Sequence, residues 1–155
     1  MSAQMPPYSP PPQTGARPFA GWWSRVAAQI LDWIIVSIIP IVLYFIVLNS
    51  NDVGPYLLSG LILLVGAIYY ALTIGRSGEN NGQTIGMQVV NIRIVRETGE
   101  PMTAGMAILR ETLIKGILMA ICFIVTILNY LAPLWDDRNQ AWHDKIVNTL
   151  VAKPA

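Results

Sequence analysis

The sequence predicts an all-α integral membrane protein. It should hold two full transmembrane helices, a third short helical segment that spans or re-enters, an amphipathic helix and a small cytoplasmic β element. Three observations carry this. The chain of 155 residues is 54% hydrophobic and only 12% charged, about half the ~25% charged content of a soluble domain. Its apolar residues gather into long runs separated by polar connections. Its arginines and lysines avoid the first of those connections and crowd the second.

The elements follow in chain order. Residues 1–18 hold Pro6-Pro7 and Pro10-Pro11-Pro12 with no apolar core, and read as a disordered, partly polyproline tail. They carry no cleavable-signal pattern, and the run that follows is too long for a signal core, so it should stay in the bilayer. That run, Val26 to Leu48, is long enough to cross a ~30 Å hydrocarbon layer with tilt. It marks the first helix, at about 25–48. Pro40 should kink it, and Trp22 and Trp23 read as interfacial anchors. Asn49-Ser50-Asn51-Asp52 with Gly54-Pro55 is a tight polar turn.

Tyr56 to Ile74 is the second span. Gly60, Ala67 and Ala71 share one face of it, where another helix could approach closely. Tyr69 and Tyr70 sit near its far end, at the expected depth of an aromatic belt.

From Gly75 the chain turns polar and glycine-rich. Val90, Ile92 and Ile94 alternate with Asn91 and Arg93, the pattern of a strand. Ala104 to Lys115 is amphipathic and helical, with Arg110 at the edge of its apolar surface, where snorkelling is cheap. Gly116 to Ala132 is a third apolar tract near the lower length limit for a span. The third helical region therefore covers about 104–132, ending at Pro133. Thr149-Leu150-Val151 is a short β-prone stretch near the end.

Arg17 and Arg25 precede the first run, and the second connection holds Arg76, Arg93, Arg96, Arg110 and Lys115. The N-terminus and the 75–115 connection are therefore expected in the cytoplasm. Arg138, Lys145 and Lys153 pull the C-terminus to the same side, which three full spans would not allow. A third segment broken near Gly116 or Asn129 resolves this, and lets the Val151 stretch pair with a Val90–Ile94 strand.

Several function classes fall away. The net charge is +1 and no basic face interleaves with aromatics, so nucleic acid is not an expected partner. There is no Gly-x-Ser-x-Gly, phosphate loop or dinucleotide fingerprint. We expect no enzyme and no cofactor. The single cysteine, Cys122, lies in an apolar run and reads as a small hydrophobe. His143-Asp144 is a lone pair without further ligands at metal spacing.

What remains is polar chemistry inside the first helix. Arg25, Gln29 and Asp32 stand at i, i+4 and i+7, on one face. A carboxylate at membrane depth costs about 2.5–3.5 kcal/mol on insertion scales unless it is paired, hydrated or protonated. Seven residues separate Arg25 and Asp32 by ~10 Å along the axis, so their partners must come from elsewhere, Arg110 among them. Asp32 reads either as a carboxylate that exchanges a proton or cation, or as a packing charge. Gln29 reads as a packing hydrogen bonder. Asp144 should accept from Arg or Lys at the cytoplasmic surface, with Trp135 and Trp142 at the interface.

The opening Gly21-Trp22-Trp23-Ser24-Arg25-Val26-Ala27-Ala28-Gln29-Ile30-Leu31-Asp32 resembles the start of the RDD family of small prokaryotic membrane proteins. Gly82-Gln83-Thr84-Ile85-Gly86-Met87-Gln88-Val89-Val90 is similar to its Thr-x-Gly-Lys/Met connection, with Met87 standing where a basic residue is common nearby. Arg110 sits where an arginine often follows the turn. Gln140-Ala141-Trp142-His143-Asp144-Lys145 resembles the family's C-terminal His-Asp motif. The resemblance covers about residues 19–153 as one membrane domain. It makes Arg25, Asp32 and Asp144 the name-giving residues and candidates for ion coupling, with Gln29, Arg110 and His143 in support.

The reading that follows is a multi-pass protein of the plasma membrane, acting as a packing and interaction module. Its expected partners are the bilayer, further copies of itself or other membrane proteins, and a protein that takes the proline-rich tail. Cation–proton antiport has been attributed to some family members. The resemblance therefore implies a second reading, small-solute transport by a homo-oligomer.

Overall fold

The computed structural model describes residues 18–48 and 54–154. The expected tail, apart from Pro18, and the polar turn at 49–53 lie outside the described residues. Helix α1, Trp22–Leu43, continues as a π-helical turn through Tyr44–Leu48. Helix α2 is Gly54–Ile74. Both contain apolar stretches long enough to cross a bilayer, Trp22–Ile46 and Tyr56–Ile74, each with mean hydropathy 2.2. Only 28% of the apolar window of the first and 11% of the second is buried, so neither is the hidden core helix of a soluble protein. Their bare apolar sides are surfaces for lipid or another helix.

Pro40 is buried inside α1. It offers no N–H to the carbonyl four residues earlier, and the ladder widens shortly after it. The close approach of α2 to α1 is centred on Gly66, where an added Cβ would stand 3.4 Å from Val36 Cγ1. Gly60 has nothing within 4 Å, so among the described residues no neighbour in the chain approaches the helix at that position.

A polar platform follows α2. Thr84 caps the five-residue helix α3, Ile85–Val89, its hydroxyl accepting from Met87 N. Strand β1, Arg93–Arg96, follows. The expected strand at Val90–Ile94 thus starts late, because Val90 closes α3 and Asn91 turns the chain at φ 52°. Gly82 feeds this turn at φ +77°, where an added Cβ would lie 2.1 Å from Ile94 O. Only glycine fits there.

The third apolar region is one helix in three parts: α4, Ala104–Ile108, a π-helical Leu109–Ile114, and α5, Lys115–Ile121. Its break falls at Cys122, extended at φ −168°, ψ 138°, and not near Gly116 or Asn129. Helix α6, Phe123–Leu131, then runs into a 3-10 turn at Ala132–Leu134 around Pro133. After α7, Trp142–Ile146, strand β2, Thr149–Ala152, pairs antiparallel with β1. Ile94 faces Val151 in that register.

The segment ahead of α1 joins the same sheet. Ala20 N donates to Val151 O at 2.9 Å, and Lys153 N donates to Pro18 O at 3.1 Å. Phe19 bridges Ala152. Pro18 therefore belongs to the platform and not to a loose tail. The buried core, built from Ala20, Ala28, Ile74, Ile92, Ile94 and Val151 among others, lies where this platform meets the ends of the two long helices.

Candidate functional site

Two carboxylates, Asp32 and Asp144, are buried to 2% and 0% exposure, and each organises a different centre. Asp32 is held by neutral donors. Tyr69 Oη donates to Oδ1 at 2.6 Å, Thr84 Oγ1 to Oδ2 at 2.6 Å and Gly86 N to Oδ1 at 2.9 Å. Helix α3 can reach it because residue 86 is glycine. A Cβ there would stand 2.4 Å from Ala28 O and 2.8 Å from Asp32 Oδ1. Asp32 also lies level with Tyr69, less than two turns from the end of α2 at Ile74. The carboxylate is thus at the platform end of the helix pair and away from its middle.

Asp144 is held by cations. Arg25 Nη1 donates to Oδ2 at 2.6 Å, and Arg110 grips Oδ1 through Nε at 3.1 Å and through Nη2. Ala141 N donates to Oδ2 at 3.1 Å. Residue 141 has no side chain that can cap α7, so Asp144 reaches back to the orphan N–H from three positions on. Burial alone would raise the Asp144 carboxyl, but Arg110 and Arg25 outweigh it and hold it well below the usual carboxylate range.

The π-helical turn places two consecutive charges inward. Arg110 and Glu111 are 2% and 7% exposed and paired with each other. Lys115 pairs with Glu111 and donates to Gln29 Oε1 at 3.0 Å. Arg110 does not snorkel at an apolar edge as expected; it is the buried centre of the charge cluster. It pairs with Asp144 and not with Asp32.

His143 donates through Nδ1 to Asn129 Oδ1 at 3.0 Å, because that oxygen already accepts from His143 N at 3.0 Å. Burial pushes the ring well below its ordinary range. Arg110, Lys115 and Arg25 add to that against the pull of Asp144. The imidazole is neutral at pH 7.

Of the expected site residues, Arg25, Arg110, His143 and Asp144 come together, Gln29 joins them through Lys115, and Asp32 stands apart. Asp144 is in the interior and not at a surface. Tyr69 serves Asp32, and Tyr70 Oη lies 3.4 Å from Gln29 Nε2. Glu111, Lys115 and Asn129 were missed. Their signals were an i, i+4 pair of opposite charges entering an apolar tract, and one amide within it. Among the described residues no group of His, Cys, Asp and Glu is arranged to hold a metal.

A cavity of about 280 Å³ opens beside the cluster. Arg25, Gln29, Asp32, Arg110, Glu111, Lys115 and His143 are on its polar wall, and Val26, Ile30, Met87, Ile92 and Val151 on its apolar wall.

The sequence profile of the RDD family matches residues 19–148. The chain belongs to the RDD family. In this RDD protein Asp32 joins α1 to α3, and the Arg25–Asp144 pair joins α1 to α7. The chain is 29% identical to a proline-rich antigen homolog of Mycobacterium tuberculosis over 85% of its own length and 62% of that protein's. It therefore spans less than two thirds of that relative. It is also 29% identical to the uncharacterized protein YckC of Bacillus subtilis, covering 85% of this chain and 83% of YckC. No solved structure matches this RDD chain.

Proposed function

We propose that this RDD protein is a non-enzymatic membrane packing and interaction module, whose signature residues fasten a polar platform to a pair of spanning helices. One observation carries the reading. Among the described residues, every hydrogen bond to the Asp32 and Asp144 carboxylates comes from a group that ties one element to another, or caps α7. The platform then presents the start of the chain beside β2. The proline-rich sequence 1–17, which precedes Pro18, is the part offered to a partner protein, in keeping with the name of the mycobacterial relative. The bare side of α2 is a surface for another copy or another membrane protein.

The arginine and lysine pattern puts the platform, and with it both termini, on the cytoplasmic side of the plasma membrane. The two short helices on either side of Cys122 then dip into the bilayer and return. Deleting residues 1–17 should remove a partner from pull-downs of the intact protein while leaving its melting temperature unchanged. A partner retained at full yield overturns the interaction role of the tail.

A second reading, movement of a cation or proton, is favoured by one feature: Asp32 and Glu111 both line the cavity. Asp32→Asn in proteoliposomes separates the two. Unchanged flux across Na⁺, K⁺ and proton gradients removes transport, and abolished flux with intact folding removes the purely structural role.

A further inference from the structure

We infer that the cavity beside the charge cluster is a binding site for a single-chain amphiphile with an anionic oxygen headgroup, entering from the bilayer between α1 and α6. This goes beyond the interaction role and does not depend on it.

The entrance is given by exposure. Ile30 and Tyr130 line the cavity, yet they are 54% and 38% exposed, so the mouth lies at the seam of α1 and α6. Ile30 belongs to a helix long and apolar enough to cross a membrane. The mouth therefore faces lipid.

The headgroup is given by unmet polar demand. Both acids in the wall are engaged: Asp32 by three donors and Glu111 by Arg110 and Lys115. Arg25 differs. Its Nη1 is bound to Asp144, but its Nη2 is buried without a hydrogen-bond partner. A buried guanidinium N–H without an acceptor is costly, and an anionic oxygen is its best complement. Lys115, over the Tyr130 ring at 5.7 Å, adds positive charge to the same wall.

The chain is given by the rest of the lining. Val26, Ile30, Met87, Ile92 and Pro133 form an apolar path. At about 280 Å³ the space is just below the ~300 Å³ at which pockets for drug-sized ligands start. It takes one short acyl chain and not a two-chain lipid.

Photolabelling of the full-length protein in nanodiscs tests this, with a decanoic acid carrying a diazirine near its methyl end. Labels should map to residues around Ile30, Met87 and Tyr130, and decanoate should displace the probe while decanol does not. Displacement by decyl phosphate as well as by decanoate shows that a carboxylate or a phosphate head is accepted; displacement by decanoate alone assigns a fatty acid. Arg25→Lys keeps a cation for Asp144 but removes Nη2, and should weaken displacement by about tenfold, the loss of one charge-assisted bond. Ile30→Trp, an exposed position that plugs the mouth, should remove the label with the melting temperature unchanged, and it carries the test if Arg25→Lys fails to fold. Equal competition by decanol, equal competition by acetate or inorganic phosphate alone, or labels spread along the outer faces of α1 and α2 and unchanged by Ile30→Trp would each overturn the proposal.

Discussion

Asp32 and Asp144 solve the same problem in opposite ways. Both are carboxylates with almost no exposure. Asp144 is neutralised by two guanidiniums, drawn from α1 and from the π-helical turn. Among the described residues Asp32 meets no cation at hydrogen-bond distance, only two hydroxyls and a backbone N–H. The difference lies in what each carboxylate joins. Asp144 gathers elements that each bring a charge of their own, so its loss leaves buried cations behind. Asp32 anchors the start of α3, where the local backbone supplies donors, and its loss leaves only neutral groups unmet. A centre built on charge should be brittle, and one built on neutral donors more forgiving.

The sharpest way to break this contrast is Asp144→Asn. Removing one member of a buried ion cluster costs about 3–5 kcal/mol, so the variant should unfold at markedly lower temperature in detergent, or fail to accumulate. If it melted like the parent, the charge cluster would not be holding the platform. Gly86→Ala comes next. Its methyl would collide with Ala28 O and Asp32 Oδ1, and overpacking of this kind costs about 1–3 kcal/mol. The accompanying sign should be faster hydrogen exchange of the Gly86 amide, since α3 must back away from α1.

Asp32→Asn should destabilise by about 1–3 kcal/mol, because the amide NH₂ would face a donor where an oxygen had accepted. A larger loss than for Asp144→Asn would reverse the comparison. Acid titration sharpens it further. Asp144 is depressed in the folded protein. Its contribution to stability is thus complete above the unfolded carboxylate value of about 3.9 and is lost as pH falls through its lower folded value. His143 is depressed too, so the unfolded chain binds a proton first as pH drops below about 6.5. Stability should therefore begin to fall near about pH 6.5, and His143→Gln should delay that onset. The smallest effect belongs to Gly60→Ala, in open space on α2. It should be neutral or stabilising by up to about 1 kcal/mol through helix propensity, whereas alanine at Gly66 or Gly86 meets a neighbour.

Much of the fold was legible because membrane helices announce themselves. A bilayer demands length and apolarity, and both are properties of consecutive residues, as the runs through Ile34–Ile39 and Leu61–Val65 show. The strand pair was legible in type but not in register. Val90, Ile92 and Ile94 alternate as a strand should, yet Thr84 had already committed the chain to a helix that ends at Val90. The break at Cys122 left no sign, since neither glycine nor proline marks it.

The sequence by itself determined that Arg25, Asp32 and Arg110 would be expensive to bury, since all three stand in or beside apolar runs. It also determined that Arg25 and Asp32 would not pair, because a helix rises a fixed distance for each residue. Only the tertiary structure decided who meets whom. Asp144 lies more than a hundred positions from Arg25, and Asp32 more than fifty from Gly86. Contacts at that separation depend on the packing angle of two helices, the width of a π-helical turn and the absence of one Cβ. None of these is written in any local run of residues, and together they sort the charges into one centre built on ion pairs and another that is met by neutral donors.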